Sequence, residues 1–164
     1  MEDVKNYFKN VWETTEEDSQ VIEAVKKAKN ILDVGCGHNQ YKKYAKNAFW
    51  GIDIACEEAD ELVDILNFRS TSKYDLIICY GSLHFYTIQW VEDRLRKVIS
   101  LLDTGGKIMM KVNPNCPNAD GTILPWYDSW TPDLGRHYAE IFNLEMSDIR
   151  NWDRKRFKFV YIKK

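Results

Sequence analysis

Apolar residues along the chain fall into short runs that switch between two periods. Residues 16–28 put Val21, Ile22 and Val25 on one face at helical spacing, with acids in the first turn and Thr14 or Thr15 as cap. A less regular helical pattern precedes them. "NILDV", residues 30–34, predicts a short buried strand, and a brief helix over about residues 40–46 follows. "AFWGIDI" predicts a second strand and "ELVDI" a third. "YDLIICY" predicts a fourth, whose continuous apolar character suits a parallel strand covered on both faces. Residues 88–102 return to helical spacing, with Trp90, Val91, Leu95, Val98, Ile99 and Leu102 as the apolar stripe and Gly105 and Gly106 as its stop. "KIMMKV" predicts a fifth strand. Residues 131–142 predict a helix capped by Thr131 with Pro132 in its first turn. "LEMSDIR" and "RFKFVYIK" predict two last strands around a turn at Asn151, Trp152 and Asp153.

Strands alternating with helices imply an α/β fold: a doubly wound, mostly parallel seven-stranded sheet, closed by an antiparallel C-terminal hairpin strand. The 164 residues suit a single domain. It divides into N-terminal helices (1–28), a ligand-binding half (29–112), and a loop, helix and closing hairpin (113–164). One connection is unusual. Only "ACEEAD" separates the second and third strands, too little for a crossover helix, which must be missing or reduced to a turn.

Composition narrows the picture slightly. With 45% hydrophobic and 29% charged residues the chain is ordinary for a soluble domain. No apolar run reaches the roughly 20 residues of a membrane span, and the N-terminus lacks the apolar core of a signal peptide. Cys36, Cys56, Cys79 and Cys116 form no CxxC pair. Neither a metal site nor a disulfide framework is supported, so a reducing cytoplasm is expected. A net charge of −2 argues neither for nor against nucleic acid.

The candidate chemistry centres on "ILDVGCGHNQ". Ligands of a doubly wound sheet sit beyond the carboxyl ends of its strands, and Gly35 and Gly37 would let backbone and ligand approach closely there. A dinucleotide would bring a pyrophosphate to this turn. Asp33 would repel it, and Gln40 stands where the third glycine of the dinucleotide fingerprint belongs. A ligand with a cationic sulfonium and an ammonium group fits better, and S-adenosylmethionine is such a ligand.

Several stretches in order resemble class I S-adenosylmethionine-dependent methyltransferases: "ILDVGCG", "GIDI", "VDILNF", "YDLIICYGSLHFY" and "VISLLDTGGKIMMKV". The resemblance covers residues 29–112 well and 131–162 loosely. It implies cofactor contacts at Asp33, Gly35, Cys36, Gly37, Asp53, Ile54, Asp64, Ile65 and Tyr80. Asp53 would bind both ribose hydroxyls, and Asp64 with Ile65 would hold adenine by its exocyclic amine and ring face. Asn39 replaces the family's third glycine.

Methyl transfer from a sulfonium expels a neutral thioether, so it needs alignment more than a metal or an oxyanion hole. Tyr80, Ser82, His84 and Tyr86 follow the fourth strand. Tyr80 and His84 are the expected catalytic residues, and His84 is equally well read as a hydrogen-bonded wall residue. Tyr86, Trp126 and Tyr127 are the expected acceptor-binding residues. Trp126, Tyr127 and Trp130 form either a lid over the site or an aromatic cluster packed on the sheet edge. His38 reads as a helix cap. The run Arg154, Lys155, Arg156 suits a nucleic-acid backbone or, better in a slightly acidic chain, the solvated side of a hairpin. No Asn-Pro-Pro-Tyr motif follows the fourth strand, which argues against amino-methylating DNA enzymes. A small molecule, a protein side chain and RNA all stay open as acceptor, as does the oligomeric state. The alternative is a cofactor-holding or inactive methyltransferase-like partner subunit. A nicotinamide-dependent oxidoreductase is disfavoured by Asp33 and Gln40.

Overall fold

A computed structural model describes residues 2–10, 17–112, 130–151 and 156–164. The chain forms α1 (Glu2–Asn10), α2 (Ser19–Lys27), β1 (Asn30–Val34), β2 (Ala48–Asp53), β3 (Glu61–Leu62), β4 (Tyr74–Tyr80), α3 (Ile88–Leu101), β5 (Leu102–Val112), α4 (Pro132–Ile141), β6 (Leu144–Asn151) and β7 (Phe157–Lys163). The seven strands make one sheet in the order β3-β2-β1-β4-β5-β7-β6. β1 to β5 are parallel, and β7 runs antiparallel between β5 and β6. This is the doubly wound sheet with a closing hairpin that the pattern predicts. Strand order reverses between β1 and β4, which places the ligand crevice beyond their carboxyl ends.

The continuous apolar strands are explained by burial on both faces. On one face, Leu32, Ile77, Ile108 and Met110 pack against Val91, Leu95 and Val98 of α3 and Tyr138 of α4. On the other, Ile31, Leu76, Ile78 and Met109 meet Val21 and Val25 of α2 and the ring of Tyr41. Each fully buried aliphatic side chain contributes about 1.5–3 kcal/mol. α1 forms a smaller cluster: Val4 and Phe8 pack with Ile54, Phe85, Tyr86 and Trp90, above the carboxyl ends of β2 and β4.

Several local expectations change. The cap of α2 is Asp18, whose carboxylate accepts from the Gln20 N–H at 2.9 Å; Thr14 and Thr15 lie outside the described residues. The brief helix is a single 3₁₀ turn, Lys42–Tyr44. Gly105 and Gly106 do not stop α3, which ends at Leu101; they lie inside β5. There one residue of β4 opposes four of β5, between the pairs Tyr74–Leu102 and Leu76–Lys107. Gly105 supplies the positive φ (75°) that this bulge requires. Thr131 caps α4 with Pro132 in the first turn, as expected.

The connection between β2 and β3 has no helix. Both residues of β3 are exposed, and Trp50 and Leu62 are 43% and 56% exposed on that flank. Polar side chains hold the connection instead. One oxygen of Asp60 accepts from the Gly51 N–H at 2.8 Å and from Asn39 at 3.3 Å, and the other pairs with Lys42. Gly51 makes this possible, since a Cβ there would lie 2.3 Å from Asn39 Oδ1.

Candidate active site

The loop after β1 is strapped to β2: Gly35 and Cys36 both donate to the Ile52 carbonyl, at 2.8 and 3.1 Å. Gly35 and Gly37 have φ of 73° and 52°, so the turn needs residues free to enter the left-handed region. The sequence offers ligand approach as the reason for Gly35, and the structure supplies a second one. A Cβ at Gly35 would lie 2.4 Å from the Cβ of Ser82, in the segment after β4. Ser82 Oγ is buried there and has no hydrogen-bond partner among the described residues. Cys36 is buried, and burial pushes its thiol well above the usual range, as for an inert packing residue.

Two acids close the ends of β1 and β2. Asp53 is 5% exposed and well partnered: Oδ1 accepts from the Ala55 and Cys56 N–H groups at 2.8 and 3.0 Å, and Oδ2 accepts from the Gly37 N–H at 3.1 Å. An ionised carboxylate has about four acceptor positions. Asp53 therefore retains room for about one further strong donor, fewer than the two ribose hydroxyls expected of it. Asp33 is 3% exposed, and among the described residues it accepts no hydrogen bond and forms no ion pair. Burial and the nearby Asp53 push its carboxyl up to about 8.

Asp64 has partners that the sequence does not announce. Its Oδ2 forms a buried ion pair with Arg94 of α3 at 2.9 Å, and its Oδ1 accepts from the Leu66 N–H at 2.9 Å. The Arg94 guanidinium lies 3.6 Å from the centre of the Trp90 ring. Ile65 packs in the main core and is 3% exposed. Ile54 and Tyr86 both join the aromatic cluster under α1, so Tyr86 shares a neighbourhood with the end of β2.

Tyr80 ends β4 on the same sheet face as Asp33, since Asp33 pairs with Ile78 two residues earlier. It is half-buried, and its hydroxyl donates to Asp18 Oδ2 at 2.8 Å. Burial, then Asp18, hold its proton firmly, with the phenol far above its usual range. Lys111 of β5 and Lys158 of β7 continue this row in register, both less than a tenth exposed. Lys158 pairs with Asp18. His84 is completely buried, its ring stacked 4.7 Å from that of Phe85. Burial, with Lys111 nearby, pushes its imidazole down to about 3. It is neutral at ordinary pH, and this geometry favours the wall-residue reading. His38 pairs with Glu58 at 3.0 Å and caps no helix.

Trp126, Tyr127, Arg154 and Lys155 lie outside the described residues. Trp130 is 2% exposed and packs against Tyr138 and Phe159, so for this residue the packed cluster replaces the lid. Sequence reasoning missed Asp18, Arg94 and Lys158. Each matters through a partner remote in sequence, and no local pattern announces that. Among the described residues, no group of three His, Cys, Asp or Glu side chains is arranged to hold a metal ion. No described helix is long and apolar enough to cross a membrane.

Strand order, switch-point glycine loop and the acids ending β1 and β2 define the class: the chain has the fold of class I S-adenosylmethionine-dependent methyltransferases, as its motifs led us to expect. Within that class, the family described as Tellurite resistance protein TehB has a sequence model that matches residues 2–75. Solved structures agree on the fold. TehB from Haemophilus influenzae is 18% identical with a TM-score of 0.68, covering 98% of this chain and 67% of that one. Magnesium protoporphyrin IX methyltransferase from Synechocystis, with bound cofactor, is 13% identical with a TM-score of 0.69, covering 99% and 96%. The N-methyltransferase NodS from Bradyrhizobium japonicum is 15% identical with a TM-score of 0.65, covering 88% and 93%. No curated protein sequence matches the chain.

Proposed function

We propose that the chain is an S-adenosylmethionine-dependent methyltransferase acting on a small acceptor. One observation carries the cofactor reading: Asp33, a buried carboxyl without a partner among the described residues, beside a glycine loop and the buried Ser82 hydroxyl, which also lacks a partner among them. A group in this setting is stabilised by a ligand that brings positive charge and hydrogen-bond donors. The ammonium and sulfonium of the cofactor do so, whereas a pyrophosphate does not. Solved structures of the same fold hold S-adenosylmethionine or S-adenosylhomocysteine, which supports the assignment.

The cofactor supplies an electrophilic methyl on a sulfonium whose departure leaves a neutral thioether. This chain's residues then have to bind, orient and exclude water. Asp33 holds the cationic end, and Asp53 offers its remaining acceptor position to a ribose hydroxyl. Asp64, engaged by Arg94, fixes the turn that carries Ile65. Tyr80 walls the transfer site as a hydrogen-bonding group that keeps its proton. His84 is a neutral, fully buried ring stacked on Phe85. Among the described residues, the polar groups near the site form one cluster, with Asp18, Lys111 and Lys158 buried and Tyr80 half-buried. That enclosure favours a small acceptor over an RNA or a protein surface. Tyr86, Trp126 and Tyr127 remain its proposed neighbours, and the cytoplasm its proposed location.

The test is incubation with methyl-labelled cofactor and size-fractionated cell extract. Label in the low-molecular-mass fraction is expected. Label confined to RNA or protein overturns the acceptor class. Cofactor binding with no label in any fraction favours a partner subunit.

A further inference from the structure

Asp18, Tyr80 and Lys158 come from the N-terminus of α2, the end of β4 and the C-terminal hairpin. Asp18 and Lys158 are 140 positions apart yet form a buried ion pair, 4% and 6% exposed. The Asp18 carboxylate also accepts from the Gln20 N–H at 2.9 Å and the Tyr80 hydroxyl at 2.8 Å. Its backbone N–H donates to the Tyr41 hydroxyl at 3.2 Å, and the Tyr41 ring meets the Tyr80 ring edge-on at 6.3 Å. The ammonium groups of Lys111 and Lys158 lie 5.4 and 5.7 Å from the Tyr80 ring centre. Tyr80 is therefore held at its hydroxyl and around its ring.

A tyrosine hydroxyl has one proton and two acceptor lone pairs. Once the proton is directed at Asp18, the oxygen can only accept from any other neighbour. We propose that Lys158 is a positioning residue for methyl transfer: it pairs with Asp18, Asp18 takes the hydroxyl proton of Tyr80 in a hydrogen bond, and Tyr80 is left facing the cleft purely as an acceptor. The inference rests on the reading of Tyr80 as a wall of the transfer site. Such an oxygen selects an acceptor whose nucleophile carries an N–H or O–H, and turns that nucleophile's lone pair toward the methyl.

The arrangement depends on an ionised Asp18. Burial pushes that carboxyl up, but Lys158, the Gln20 N–H and Tyr80 outweigh it and hold Asp18 below the usual range. Among the described residues, the other charged or titratable groups facing the cluster are Lys111, Tyr41, Asp33 and, opposite Lys158 on β6, Arg150 with its ion-pair partner Asp148. Removing Lys158 takes away the one cation in direct contact with Asp18 among the described residues, so burial weighs more, and Asp18 takes a proton at a higher pH and stops accepting as a carboxylate.

The test follows the ring-carbon (Cζ) NMR signal of Tyr80 in ¹³C-tyrosine-labelled full chain, assigned by its loss in Tyr80→Phe. In the native protein this signal is expected to stay flat from pH 5 to 8. In Lys158→Met it should titrate within that range, and in Lys158→Arg it should be flat again. Transfer of labelled methyl to cell extract should fall at least tenfold at pH 6 in Lys158→Met and recover toward pH 8.5. If that variant does not fold, the double variant Asp18→Asn, Lys158→Met removes both charges. It should show a displaced, pH-independent Tyr80 signal. A folded Lys158→Met, or double variant, with the native Tyr80 signal at every pH overturns the proposal. Calorimetry with S-adenosylhomocysteine is a separate arm: failure of the native chain to bind it sinks the cofactor reading, while the NMR series still judges the linkage.

Discussion

The ends of β1 and β2 invite comparison, because each carries an aspartate buried to nearly the same degree, 3% exposed at Asp33 and 5% at Asp53. Asp53 gathers three backbone N–H groups from two loops. Asp33 gathers none among the described residues, and its carboxyl is held near 8. Burial alone therefore does not distinguish a structural acid from a binding one; the partners do. The end of β2 is held by its own loops, while the end of β1 carries the carboxyl we propose for a cation.

The comparison can be broken most severely at Gly35, which joins the two ends. Gly35→Ala adds a Cβ in a left-handed residue and overlaps Ser82. It should lower stability by about 2–4 kcal/mol and abolish cofactor binding. Urea denaturation and calorimetry read both effects; a stable Gly35→Ala chain that binds normally contradicts the geometry.

The two acids should then respond with opposite signs. Asp53→Ala strands three backbone donors and should cost about 2–4 kcal/mol of stability, as well as weakening the cofactor. For Asp33 the folded carboxyl titrates above its unfolded value. Its stabilising contribution is complete below about pH 4 and is lost as pH rises through about 8. Asp33→Asn removes that loss. The ligand-free variant should be more stable than the parent at pH 8.5 yet bind the cofactor about tenfold to a hundredfold more weakly. Denaturation at pH 5 and 8.5 decides; equal losses for both variants would erase the distinction.

The smallest effect on affinity is expected at His84. The ring is fully buried and titrates near 3. His84→Gln should leave cofactor affinity within a few-fold, and the native pH–rate profile should show no limb between pH 5 and 8 that this variant removes. Disappearance of such a limb would return His84 to the role of a general base.

Much of this architecture is legible in the sequence, and the rest is hidden for physical reasons. Strands β1, β2, β4 and β5 announce themselves because both faces are buried and their apolar runs are unbroken. β3 reads longer than it is, as "ELVDI", because Val63 and Ile65 are apolar residues beyond the two that pair, Glu61 and Leu62. Gly105 and Gly106 read as a helix stop because a bulge uses the same residue type as a cap. Gly35, Gly37, Asp33 and Asp53 are local signals and could be placed in order. Asp64 could also be placed, but its partner Arg94 lies 30 residues on, and nothing in either stretch marks the pairing. Lys158 sits in a segment that reads as the alternating, solvated side of a hairpin. Only the insertion of β7 between β5 and β6 makes that position internal.

The central claim is that Asp33 waits protonated for a cationic ligand, and proton counting tests it directly. Calorimetric titration of S-adenosylmethionine at pH 7, repeated in buffers of different ionisation enthalpy, gives the number of protons released on binding. With a ligand-free carboxyl near 8 that the ligand drives down, close to one proton should leave. Affinity should rise by up to about tenfold per pH unit until pH 8. Asp33→Asn should abolish both effects. Binding with no proton released and no pH dependence between 6 and 8 would contradict the account.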